Sequence, residues 1–67
     1  MKSRKVGTVI KEMRLKRGLT QVELAKKAKT VQPYIACLES GEKNNPGLAL
    51  LQRLAKALKV TVAELLG

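Results

Sequence analysis

The sequence predicts an all-α fold of five short helices. Three observations carry that expectation. Apolar residues return at helical spacing, as at Val6, Ile10 and Met13. Thr-x-x-Glu pairs at Thr20/Glu23 and Thr61/Glu64 have the form of capping boxes, which open helices. No segment alternates with period two for long enough to form a strand.

The first helix is expected from about residue 4 to 17, with Val6, Val9, Ile10 and Met13 inward. Ser3 can cap its start, Lys16 and Arg17 suit its last turn, and Gly18 suits a left-handed stop. The Thr20 box opens a second helix over about 21–28, burying Leu24, Ala25 and Ala28. After a short break, Pro33 marks a third start, because proline is tolerated only in a first turn. Thr30 or Val31 is the N-cap, and Thr30 has the better chemistry. This helix spans about 32–40 and ends at Gly41. It places Ile35, Leu38 and Glu39 on one face, and Pro33, Ala36, Cys37 and Ser40 on the other. A loop rich in Asn, Pro and Gly leads to a fourth helix over about 48–58, with Leu51, Leu54, Ala55 and Leu58 inward. The Thr61 box opens a last helix over about 62–66, where Val62, Leu65 and Leu66 are candidates for the core.

The chain has 67 residues, which suits one domain, 1–67, with residues 1–5 as a candidate basic arm. A chain this short buries only about 60% of the surface it exposes when unfolded, so oligomerisation would stabilise it. It contains no Trp or Phe and one Tyr, so the core must be aliphatic. The net charge is +9, and its placement is uneven. Residues 1–29 hold ten of the 14 Lys and Arg and two of the five acids. Such an excess points to a polyanion, either nucleic acid or an anionic membrane, although a merely solvated surface has the same composition. The single cysteine, Cys37, excludes an internal disulfide, and with no His a structural metal site is not expected. No cofactor is implied. No apolar run approaches the roughly 20 residues of a membrane span, and no signal-peptide core follows the basic start. A cytoplasmic protein without membrane association is expected.

A helix, a tight turn and a second helix of similar length form a helix-turn-helix pattern. Several stretches extend the match over residues 6–66: Ile10-Lys11-Glu12-Met13-Arg14, Gly18-Leu19-Thr20-Gln21-Val22-Glu23-Leu24-Ala25, Tyr34-Ile35 with Leu38-Glu39-Ser40-Gly41, Asn45-Pro46, and Leu54 to Val60. In this order the chain resembles the lambda-repressor-like, Xre-type and Cro-like helix-turn-helix regulators of phages, plasmids and bacteria. The resemblance implies sequence-specific binding of double-stranded DNA as a transcriptional regulator, expected to be a repressor acting by promoter occlusion. The 32–40 helix would enter the major groove, with Gln32, Pro33, Tyr34, Ala36 and Cys37 toward base edges. Thr20, Gln21, Ser40, Lys43, Asn44 and Asn45 would meet phosphates. Arg14 and Glu39 match a structural ion pair of the family. A homodimer on two half-sites about 34–36 Å apart would follow.

Two features depart from the family pattern. Lys29 stands where many relatives have Gly in the turn, so the turn is expected either to carry strain or to be reshaped. The reading face is also poor in hydrogen-bonding groups, since only Gln32 and Tyr34 bond strongly. Gln32 can pair with adenine, while Pro33, Ala36 and Cys37 suit thymine methyls, which predicts sparse readout leaning to A·T, with DNA shape supplying the rest. Simpler readings stand beside these roles. Gln21 and Gln32 can be exposed helix-start residues, Tyr34 a packing residue, and Cys37 a small face residue rather than a redox switch. Lys2, Arg4 and Lys5 can be solubilising rather than an arm on the DNA backbone.

An alternative function is an antitoxin that binds a protein partner (a toxin or a regulator) and its own promoter. An enzyme is not expected, because the chain lacks His and a Gly-rich phosphate loop. A membrane-surface helix is also disfavoured, because these helices are short, capped and patterned for a shared core.

Overall fold

The structure is a computed structural model that describes residues 5–66. The Ser3 cap and the basic residues Lys2 and Arg4 lie outside the described residues. Five helices follow in order: α1 Val6–Lys16, α2 Gln21–Lys27, α3 Gln32–Ser40, α4 Leu48–Leu58 and α5 Val62–Leu66. Among the described residues there is no strand. α3 packs against both α1 and α2, α4 lies against α2, and α5 closes the bundle against α1 and α4.

The core is aliphatic, as the composition requires. Ile10, Leu24, Ala28, Ile35, Leu38, Leu54, Leu58 and Leu65 are fully buried, joined by Val9, Ala25, Leu50, Leu51 and Ala55. Each fully buried Leu or Ile contributes roughly 1.5–3 kcal/mol relative to exposure. Val62 is half-buried, but Leu66 is exposed and so leaves the expected core.

Two helix starts use side chains as predicted. The Thr20 hydroxyl accepts from the Glu23 backbone N–H at 3.0 Å, and the Glu23 carboxylate accepts from the Thr20 N–H at 2.8 Å. Thr61 and Glu64 repeat this exchange at 3.1 and 3.3 Å. The third start differs from expectation: the N-cap is Val31, with no side-chain cap, rather than Thr30. Thr30 is held by the preceding helix, because its N–H closes the end of α2 on the Ala25 carbonyl at 2.9 Å.

Four helices end by turning into the left-handed region, at Gly18, Lys29, Gly41 and Lys59. Behind α1, α2 and α4 the next amide bonds back into the last turn: Leu19 to Arg14, Thr30 to Ala25 and Val60 to Ala55, at 2.9–3.0 Å. This six-to-one closure satisfies carbonyls that a helix end leaves unpaired. The turn at Lys29 is therefore not reshaped; Lys29 takes φ 57° and bears the strain. α2 accordingly ends at Lys27, with Ala28 as its cap.

One close approach was not legible in the sequence. Gly7 is buried where α1 crosses α3, and a Cβ there would sit 1.7 Å from the Leu38 carbonyl oxygen. Because backbone blocks that space, Gly7→Ala is expected to destabilise the fold by at least about 1–3 kcal/mol, as an overpacked core does. Lys29→Gly is expected to stabilise it by roughly 0.5–1 kcal/mol, since relieved strain exceeds the added chain entropy. Chemical denaturation of the two variants beside wild type checks both signs.

Candidate nucleic-acid interface

The site is organised from a buried charge outward. Arg14 is 8% exposed. Its Nε donates to Glu39 Oε2 at 2.7 Å, and an NH2 group donates to Oε1 at 3.0 Å. The remaining guanidinium nitrogen donates to the Leu19 carbonyl at 2.7 Å. One side chain therefore ties α1 to α3 and to the loop that leads into α2. The Glu39 side chain is 4% exposed. Burial pushes its carboxyl up, but hydrogen bonds from Arg14 and Gln21 outweigh this and hold it below the ordinary carboxylate range. The Arg14 guanidinium is held above its ordinary value by the Glu39 hydrogen bond, against the opposing effect of burial.

From Glu39 the network continues to the start of α3. The Gln21 amide donates to Glu39 Oε1 at 3.0 Å. Gln32 Nε2 in turn donates to Gln21 Oε1 at 2.7 Å. The candidate phosphate contact and the leading candidate base contact are thus one hydrogen-bonded pair, anchored on a buried ion pair. Gln32 retains its own carbonyl and its second amide hydrogen for a ligand.

The face of α3 opposite Ile35 and Leu38 carries Pro33, Ala36, Cys37 and Ser40 at i, i+3, i+4 and i+7. Pro33 and Ser40 are exposed, and Ala36 and Cys37 are half-buried. Tyr34 is half-buried with its ring against the core, the packing role weighed for it from the sequence. The Ser40 hydroxyl donates to the Cys37 carbonyl at 3.1 Å. The Cys37 thiol donates to Glu42 Oε2 at 3.4 Å. That bond, together with burial, raises the thiol above its ordinary value, the opposite of what a reactive thiolate requires.

Lys43, Asn44 and Asn45 are exposed in the loop after α3, between the Lys43 N–H, bonded to the Cys37 carbonyl at 3.1 Å, and buried Pro46. Thr20 is exposed; its oxygen is engaged in the cap, but its O–H remains available as a donor. Two neighbours were missed from the sequence. Val31, 62% exposed, immediately precedes Gln32 and adds an apolar contact to the same end of α3. Glu42 places a carboxylate beside that face. Apolar exposure in a turn gives no sequence signal, and Glu42 read as ordinary loop polarity.

Comparison with known proteins agrees with this geometry. A family model described as helix-turn-helix matches residues 10–65. The immunity repressor protein of Bacillus phage phi105 is 42% identical over 62 residues, covering 92% of this chain and 42% of that protein. The transcriptional regulator SinR of Bacillus subtilis is 33% identical over 61 residues, covering 91% of this chain and 55% of SinR. A crystal structure of SinR in complex with DNA superposes with a TM-score of 0.89 at 32% identity, covering 92% of this chain and 98% of that one. The P22 c2 repressor in complex with a synthetic operator gives 0.87 at 28% identity, covering 94% of each chain. The chain spans about half the length of the first two relatives.

Acid should unfold the protein through Glu39. A carboxyl held low in the fold stabilises it above the unfolded value of about 4.3, and that contribution is lost as pH falls through the folded value. Glu39→Gln is expected to flatten the acid limb of a stability–pH profile while lowering stability at neutral pH. Arg14→Met leaves Glu39 buried without its partner and is expected to cost about 3–5 kcal/mol; a melting temperature within a degree or two of wild type would contradict this. Residue pattern, fold and family model agree: this chain belongs to the lambda-repressor-like helix-turn-helix family of transcriptional regulators.

Proposed function

We propose that this chain binds double-stranded DNA sequence-specifically, with α3 in the major groove, and acts as a transcriptional repressor. The carrying observation is the Gln21–Gln32 pair fixed on Glu39 at the start of α3. A side chain held in advance loses little freedom on binding and presents a defined donor and acceptor, which suits adenine. Pro33, Ala36, Cys37 and Val31 offer apolar contact to thymine methyls, and Tyr34 packs beside them. Thr20, Gln21, Ser40, Lys43, Asn44 and Asn45 are the candidate phosphate contacts flanking the face. Similarity to SinR and the P22 c2 repressor, both solved with DNA, supports the same docking.

The reading extends to a cytoplasmic, non-enzymatic protein. Its support is the similarity to DNA-binding transcriptional regulators. A homodimer on paired half-sites is part of the proposal, with exposed Leu66 on α5 as a candidate contact. No feature of the described residues favours an antitoxin role over this one.

A binding-site selection on random duplex DNA at two salt concentrations tests the reading. The expected outcome is a preferred half-site leaning to A·T. Gln32→Ala should weaken that site by about 1–3 kcal/mol and relax preference at one base position. Gln21→Ala should act in the same direction through Gln32. A G-rich half-site would overturn the readout, and salt-sensitive binding with no preferred sequence would overturn specificity.

A further inference from the structure

A second positive feature lies away from Thr20 and Gln21, at the other end of α2. There the C-terminal ends of α2 and α4 enclose an open trough of about 350 Å³. Its lining is Lys27, Lys29, Arg53, Lys56, Lys59 and Ala57. A smaller hollow of about 160 Å³ shares Lys27, Ala57 and Lys59 and continues to Arg17. Every charged residue lining both hollows is cationic, and none of them is in an ion pair among the described residues.

Helix C-termini carry partial negative charge, so lysines beside them have an ordinary explanation. Here that role is already filled by arginines. Arg53 Nε donates to the Ala28 carbonyl at 2.7 Å, closing the end of α2. Arg17 donates to the Leu58 and Lys59 carbonyls at 3.0 and 3.4 Å, closing the end of α4. The amides of Thr30 and Val60 take further carbonyls. The four lysines are therefore surplus to helix capping.

Backbone strain marks the same place. Four helix ends use the left-handed conformation, and two of them use Gly, which adopts it without strain. The other two use Lys29 and Lys59, and both line this trough. The chain accepts strain at two of the four positions from which a lysine lines the trough.

We propose that this trough binds a compact, multiply phosphorylated small molecule. The volume falls in the range of small-molecule pockets, and all of its charged lining residues are cations, which suits a compact polyanion. Arg53 keeps both terminal NH2 groups for bidentate phosphate contact, and the lysines supply point charges around it. A bound polyphosphate would bridge the turn before α3 to the end of α4.

The test is titration of the full chain with inorganic tripolyphosphate, followed by amide NMR shifts and calorimetry at constant ionic strength without DNA. The variant is Lys29→Gly combined with Lys59→Gly, whose backbone changes favour folding, so lost binding cannot be attributed to unfolding. Wild type should show saturable shifts centred on residues 27–29 and 56–59, and the double variant should bind about tenfold or more weakly while melting higher. Shifts centred on residues 32–37 and 43–45, or equal affinity in the variant, would overturn the proposal. So would a variant whose operator affinity falls as far as that of Gln32→Ala, because the trough would then belong to the duplex surface. The tripolyphosphate titration itself uses no DNA, so an absence of binding there would leave the proposed DNA binding untouched.

Discussion

The ion pair between Arg14 and Glu39 is the interaction on which the arrangement of this molecule depends. Burying two charges is costly, and only close geometry with further hydrogen bonds offsets the lost hydration. Here Arg14 meets both carboxylate oxygens and the Leu19 carbonyl, and Glu39 also accepts from Gln21. No buried side-chain nitrogen or oxygen among the described residues is left without a partner. An apolar pair of similar volume could fill the space, but it could not fix the angle between α1 and α3 and orient Gln21 together. The pair therefore contributes definition of the site more than net stability.

That definition matters because the exposed face of α3 is chemically sparse. Most of its groups are methyls, methylenes and a thiol already bonded to Glu42. With so few strong donors, discrimination between bases must come from where Gln32 is held. A mobile glutamine would pay conformational entropy on every encounter, whereas one bonded to Gln21 has paid most of it on folding. The same core that excludes water from Leu38 and Ile35 sets the position of the amide that faces solvent.

Charge is distributed with a different logic from contact. The net charge of +9 draws the chain toward polyanions at long range. Yet the described α3 face carries no cation, and the dense positive cluster sits between the ends of α2 and α4. The two left-handed lysines belong to that cluster, so backbone strain and concentrated positive charge coincide there and not at the face of α3.

Local chemistry settled much of this protein before any folding was considered. Capping boxes at Thr20 and Thr61, Pro33 in a first turn and glycines at two helix ends are written within a few residues of where they act. The aliphatic stripes named most of the core for the same reason, since one helix turn repeats every 3.6 residues. Tertiary structure decided what depends on distant neighbours. Gly7 looks like a weak helix residue until the Leu38 carbonyl is found against it. Thr30 reads as a cap until the end of α2 claims its amide, and Leu66 reads as core until α5 turns it outward. The Arg14–Glu39 pair was expected through the family resemblance alone, and the bonds that carry it on to Gln21 and Gln32 span up to 18 residues, contacts that no periodicity records. They exist because three helices close on one buried carboxylate, a condition that only the packed chain satisfies.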